Sequence, residues 1–275
     1  MRGFLAVARL TLHEAIRRRI LVAALIAGAA FLTLYAVGLH FILREAEKGT
    51  LLERRIFLNV LTLAALYAAN LLTIMTAVLL PVDTLSGEIS SGVIQTLAVR
   101  PIRRREILLG KWLGHWIVMA GYMLLLTGGV LALTAGFAHF TPPHVEQGLP
   151  LILLEGTVLL TLSIAGGARL STVTNGMLAF GLFGLAFIGN WVEQIGTMAD
   201  NAAAQRVGTV ASLIMPSEAL WQLAASHMQP SILRDLGASP FSPVSVPSTA
   251  MVVWAAGYIL AALAIGVRAF GRRAL

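Results

Sequence analysis

No cysteine occurs among the 275 residues. Disulfides and thiolate metal sites are therefore excluded, and nothing about compartment follows from cysteine usage. Charge is scarce too: Asp, Glu, Lys and Arg make up 12% of the chain, against about 25% in soluble domains. Aromatic residues are 7% and form no platform interleaved with basic side chains, so a nucleic-acid partner is not expected. Acidic residues number 13 against 20 Lys and Arg, which leaves a net charge of +7. What the chain has in quantity is apolar side chains, 57% of it, arranged in uninterrupted helix-length runs. A soluble core cannot absorb such runs, whereas a bilayer can.

The runs predict an all-α membrane protein of one transmembrane domain, residues 1–275, with six spans at 20–43, 57–80, 112–138, 149–168, 176–192 and 249–270. The first run is longer than the apolar stretch of about 7–15 residues in a cleavable signal, so it is expected to be retained. Ahead of it, Phe4, Ala8, Leu12 and Ile16 recur at helical spacing opposite Arg9, His13 and Arg17. This pattern predicts an amphipathic helix over 1–19 lying in the membrane interface. Residues 193–248, punctuated by Pro216, Pro230, Pro240, Pro243 and Pro247, are the longest stretch without a span. One or two short helices against the outer membrane surface are expected there, one of them capped by Ser217 and carrying Leu220, Trp221 and Leu223.

The basic residues set the orientation. With the N-terminus inside, fourteen Lys and Arg fall on inner segments, among them Arg17, Arg18, Arg19, Arg103, Arg104, Arg105 and Lys111. Six fall outside: Arg44, Lys48, Arg54, Arg55, Arg206 and Arg234. The excess places both termini in the cytosol of a multi-pass protein, and in a bacterial cell in the inner membrane. The clustering beside apolar runs is that of topology signals and contacts with anionic headgroups.

Between the second and third spans lies a polar segment, 82–111. Leu85, Ile89, Val93 and Leu97 form one apolar ridge, and Glu88 sits in the first turn, where the helix dipole favours a carboxylate. Pro101 ends the helix, the Arg103–Arg105 cluster follows, and Lys111 stands at the mouth of the third span. From the residues alone, an interfacial loop that merely anchors helix ends fits as well. Within the spans, Asn70 is central and is a candidate for lining a substrate path. His115, Glu155 and Asn190 fall nearer span ends, where polar groups are ordinary. His139 and His144 share one outer loop without further ligands, and no metal site is expected. No catalytic constellation is expected either, since Ser, His and Asp are scattered over opposite span ends. A P-loop is missing, because Gly110-Lys111 is followed by Trp112 and Arg105 stands where its first glycine belongs.

The run from Gly87-Glu88 through Ser91-Gly92 to Leu97, then Arg100-Pro101-Ile102-Arg103-Arg104 and Gly110-Lys111, resembles permease subunits of the type-2 exporter class of ABC transporters. The resemblance extends to the order of an N-terminal helix followed by six spans. Val93 and Arg103 depart from the threonine and hydroxyl residue common at these positions. The resemblance implies that 82–111 is a cytosolic coupling helix, which fits a groove on a separate ATPase subunit. Gly87 and Gly92 would allow close approach, Glu88 would face that partner, Gln95 and Pro101 would belong to the same coupling set, and Arg104 and Lys111 would hold the helix at the headgroup boundary. The turn from Arg169 to Asn175 is a second candidate contact with it. The chain itself would be a non-catalytic subunit without cofactor, ATP and Mg being bound by the partner. It would pair with a second permease chain, identical or related. An alternative is a mechanical transmitter, which couples cytosolic ATP use to an extracytosolic partner protein and moves no substrate.

Overall fold

Long apolar segments of this kind satisfy their backbone only as helices, and helices are what the chain forms. The computed structural model describes residues 2–46, 50–90, 103–230 and 246–272. Among these no strand occurs. The helices are α1 (Arg2–Arg17), α2 (Arg19–Ala46), α3 (Leu51–Leu79), α4 (Ser86–Ser90), α5 (Arg104–Ala138), α6 (Val145–Gly167), α7 (Thr172–Met198), α8 (Ala202–Ile214), α9 (Ser217–His227) and α10 (Ala250–Gly271). Six of them, α2, α3, α5, α6, α7 and α10, are long and apolar enough to cross a membrane. α6 is the most enclosed, while α2 and α10 lie at the edges and present large apolar side chains outward, such as Leu34 and Val253. In a bilayer these faces meet lipid and need no protein cover.

Local signals set the helix ends. Thr50 and Glu53 form a capping box that starts α3: the Thr50 amide donates to Glu53 Oε2 at 2.8 Å, and the Glu53 amide to Thr50 Oγ1 at 3.3 Å. Ser171 caps α7 and Asn201 caps α8. Inside the spans the threonine hydroxyls donate to the carbonyl four residues back, as Thr62 does to Leu58 and Thr161 to Thr157. Apolar surroundings then meet no bare hydroxyl.

α1 packs against the bundle with one face and leaves part of its apolar ridge of Phe4, Ala8, Leu12 and Ile16 uncovered by protein. It buries Val7, Ala8, Thr11 and Ala15, while Ile16 is 56% exposed. The reason is close packing on α5. Gly110 and Gly114, one turn apart on α5, leave room for α1; a methyl at Gly114 would fall 2.8 Å from Thr11 Cβ and 2.9 Å from the Ala8 carbonyl oxygen. Small residues line both sides of the contact, and the larger apolar side chains of α1 face outward.

The segment after the fifth span departs from the sequence expectation. α7 continues to Met198, and the chain does not lie flat on the surface beyond it. α8 turns back along α7, so closely that Gly208 meets Glu193 Cβ and Gly189 meets Ala211 Cβ with no space for a further atom. α9 then rises between α3, α6 and α7, with every residue from Ser217 to Ser226 buried. α8 and α9 thus form a re-entrant hairpin. Such backbone is tolerated at membrane depth where protein surrounds it. Ser217 is not the cap of α9: Pro216 takes that position, and the Ser217 hydroxyl is buried without a hydrogen-bond partner.

Candidate functional site

The chain leaves α3 at Leu79 and turns through Pro81 into α4. The end of α3 and the turn carry carbonyls that side chains from the α1–α2 break, α6 and α7 take up. Arg18, at the break between α1 and α2, donates to the Leu80 carbonyl at 3.3 Å and pairs with both Asp83 and Glu14. Asn175 of α7 donates to the Val82 carbonyl at 3.2 Å and to the Ser163 carbonyl of α6 at 2.7 Å. Ser163 in turn donates to the Val78 carbonyl at 3.0 Å. Ser86 Oγ meets Thr172 Oγ1, at the start of α7, at 2.8 Å.

α5 supplies the remaining contacts. Lys111 is 3% exposed and pairs with Glu88 of α4. His115, one turn on, donates from Nδ1 to the Lys111 carbonyl at 2.9 Å, and its Nε2 pairs with the Thr84 hydroxyl at 3.2 Å. Underneath, Leu85, Ile107, Leu108, Ile164 and Phe270 form an apolar cluster that joins α4 to α5, α6 and α10. Desolvation pulls the Glu14 carboxyl up, but the hydrogen bond and charge of Arg18 outweigh it and hold the group below the ordinary carboxylate range. The Pro81–Ser90 region is therefore fastened to helices across one end of the bundle.

The expected coupling residues have partners within the chain. Glu88 pairs with Lys111. Lys111 is the eighth residue of the helix that begins at Arg104 and is buried. Arg104 donates to the Gly271 carbonyl at the end of α10, at 3.2 Å. A Cβ at Gly87 would lie 3.7 Å from Asp83 Cβ, an ordinary contact, so the glycine leaves its outer side open to a partner. Gly92, Gln95 and Pro101 lie outside the described residues. The Arg169–Asn175 turn meets the segment directly through Thr172 and Asn175. Arg18 and Asn175 were not legible as members of this site, because their partners are 65 and 93 positions away in the chain.

A second polar group lies at mid-bundle. Asn70 is 1% exposed and donates to Glu155 Oε2 at 2.9 Å. Glu155 is fully buried at the centre of α6, not near an outer end. Glu218 of α9 accepts from Tyr67 at 3.3 Å and from Asn190 at 3.4 Å, and Gln222 also donates to Asn190. The sequence pass separated these residues, since Glu218 was expected outside the membrane. His139 and His144 adopt left-handed backbone conformations at the end of α5 and the start of α6, and act as turn residues.

Residues 5–275 match the family model described as ABC-2 family transporter protein. Over 119 residues the chain is 34% identical to the "Probable ABC transporter permease protein NosY" of Stutzerimonas stutzeri, a match that covers 43% of this chain and 41% of that relative. A nearly full-length family match and six spanning helices, with a fastened segment between the second and third, agree with one another: the chain belongs to the ABC-2 family of transporter proteins and is a multi-pass permease subunit.

Proposed function

We propose that the chain is the membrane half of an ATP-driven exporter, coupled through 82–111 to a separate ATPase subunit that binds ATP and Mg. Both termini face the cytosol of the inner membrane, and two permease chains, identical or related, complete the pathway. The observation that carries the reading is the fastening of the Pro81–Ser90 region. A push on α4 reaches α5 through Glu88 and Lys111, the α1–α2 break through Asp83 and Arg18, and α7 through Ser86 and Asn175. A surface loop that only anchored helix ends would need none of these links. Exposed Arg103, Arg105 and Arg169 flank the segment and give the ATPase a basic face to meet.

The test is co-purification with the ATPase followed by hydrolysis measured in lipid. Gly92→Trp inserts bulk into the segment and is expected to weaken ATPase association or abolish stimulation of hydrolysis, with expression and membrane insertion retained. Ala203→Trp, at an exposed position of α8, is expected to leave both unchanged. Wild-type association and stimulation in Gly92→Trp would remove the coupling role. Vesicles that hydrolyse ATP in step with an outer partner but export nothing would replace transport by mechanical transmission.

A further inference from the structure

Asn70 and Glu155 are joined by one hydrogen bond, from Asn70 Nδ2 to Glu155 Oε2 at 2.9 Å. The remaining oxygen of each group, Asn70 Oδ1 and Glu155 Oε1, is buried and has no hydrogen-bond partner. Both are acceptors, so neither can satisfy the other as the groups stand. A single proton placed between them changes this. Protonated Oε1 becomes a donor, Oδ1 is the free acceptor on the very amide already engaged, and the two bonds close an acid–amide ring. Turning the amide over gives the same answer, because Oδ1 would then face Oε2 and that contact also requires a proton. A buried acceptor left without a donor is destabilising, and one proton removes two of them.

The surroundings supply no other compensation. α9 brings Glu218 close enough for its charge to act on Glu155. α3 brings Tyr67, which donates to Glu218, and α7 brings Asn190, which does the same. α5 and α10 meet α6 with Met119 against Gly156 and Gly266 against Ala165, neither titratable, and the Trp112 and Trp116 indoles go to Thr161 and Thr157. Among the described residues no Lys, Arg or His stands with the pair. Two ionised carboxylates buried together without a cation are strongly disfavoured.

We propose that Glu155 is a proton-binding site of the membrane interior: at neutral pH its Oε1 carries a proton donated to Asn70 Oδ1, and the neighbouring Glu218 is the group that bears charge. The bound proton ties α3 to α6 and permits α9 to place Glu218 beside them. Its release sets two anions side by side and loosens the seat of the re-entrant hairpin. The site needs neither ATPase nor substrate, so its test is independent of the transport reading.

The experiment uses the full chain in lipid nanodiscs. Infrared difference spectra are expected to show, near neutral pH, the carbonyl stretch of a protonated buried carboxyl that shifts in heavy water. The band should vanish in Glu155→Gln and persist in Glu218→Gln. Gln at 155 can form the same ring with Asn70 without a proton. Glu155→Gln is therefore expected to fold and to show a clearly smaller fall of the thermal midpoint from about pH 6 to about pH 9 than wild type, the remaining fall being that of the buried Glu218 carboxyl. Glu155→Leu, which strands the Asn70 amide, should be destabilised at every pH. The proposal is overturned if wild type lacks the band, if the band is lost in Glu218→Gln alone, or if Glu155→Gln fails to fold. It is equally overturned if the band grows only after sodium, potassium and magnesium are removed, since a metal ion would then hold the seat.

Discussion

Lys111 shows how one buried charge decides the role of its neighbours. It enters the bundle at 3% exposure, and its direct carboxylate partner is Glu88, 23 residues earlier. Such a pair stabilises little against an apolar replacement of both members, but removing one member leaves the other desolvated. Lys111→Met is therefore expected to lower stability by about 3 kcal/mol, the lower end for a buried pair because Glu88 keeps some exposure. Glu88→Leu combined with Lys111→Met is expected to recover most of that loss. Thermal unfolding of the three variants in detergent measures the cycle, and a double variant no better than Lys111→Met would show that the two residues do not act as a pair. The same geometry makes Glu88→Lys a poor probe of any ATPase contact. It sets two cations together inside the chain, so its effect on coupling would be reached through misfolding of the segment.

Among the elements, the spans were readable and the hairpin was not. Each long apolar run carries its own evidence, since lipid accepts any sufficiently long apolar helix whatever its neighbours. α9 has no such signature. Its sequence, Ser-Glu-Ala-Leu-Trp-Gln-Leu-Ala-Ala-Ser-His, mixes polar and apolar residues on all sides, and its complete burial depends on partners on α3, α6 and α7 far away in the chain. The segment at 82–111 lay between these cases. Its ridge and Pro101 predict a helix and its end that fall largely outside the described residues, while the fastening of Pro81–Ser90 by Arg18, Asn175 and His115 required the fold. The hairpin makes a definite prediction. Gly208 leaves no space beside Glu193 Cβ and the Gly189 carbonyl oxygen, so Gly208→Leu should wedge α8 from α7 and cost about 1–3 kcal/mol. A cysteine replacing fully buried Ala225 should resist thiol reagents in the parent and react in the Gly208→Leu background. Equal resistance in both would mean that α9 is held independently of α8.

For the whole molecule, the proposed orientation rests on charge, and the lack of native cysteine makes it directly measurable. The end of the bundle proposed to be the inner one carries Arg17, Arg18, Arg19, Arg103, Arg104, Arg105 and Arg169, together with the fastened Pro81–Ser90 region. The opposite end carries the start of α3, the α5–α6 turn with His139 and His144, and the junction of α7 with α8 at Asp200. An excess of Lys and Arg on one side resists translocation of that side during insertion. Single cysteines at exposed Arg105 and Ser171 should therefore react with a membrane-impermeant thiol reagent only after the membrane is opened. Cysteines at exposed Asp200 and Ala203 should react in intact cells. Ala225 is unsuitable as an outer reporter in spite of its place between the fifth and sixth spans, since its burial would read as protection on either side. Labelling of Arg105→Cys in intact cells would invert the molecule, put the segment at 82–111 on the side without ATP, and remove the basis for coupling. Labelling of Asp200→Cys only in opened cells would instead leave the inner end in place, and would mean that the fifth span ends on the cytosolic side.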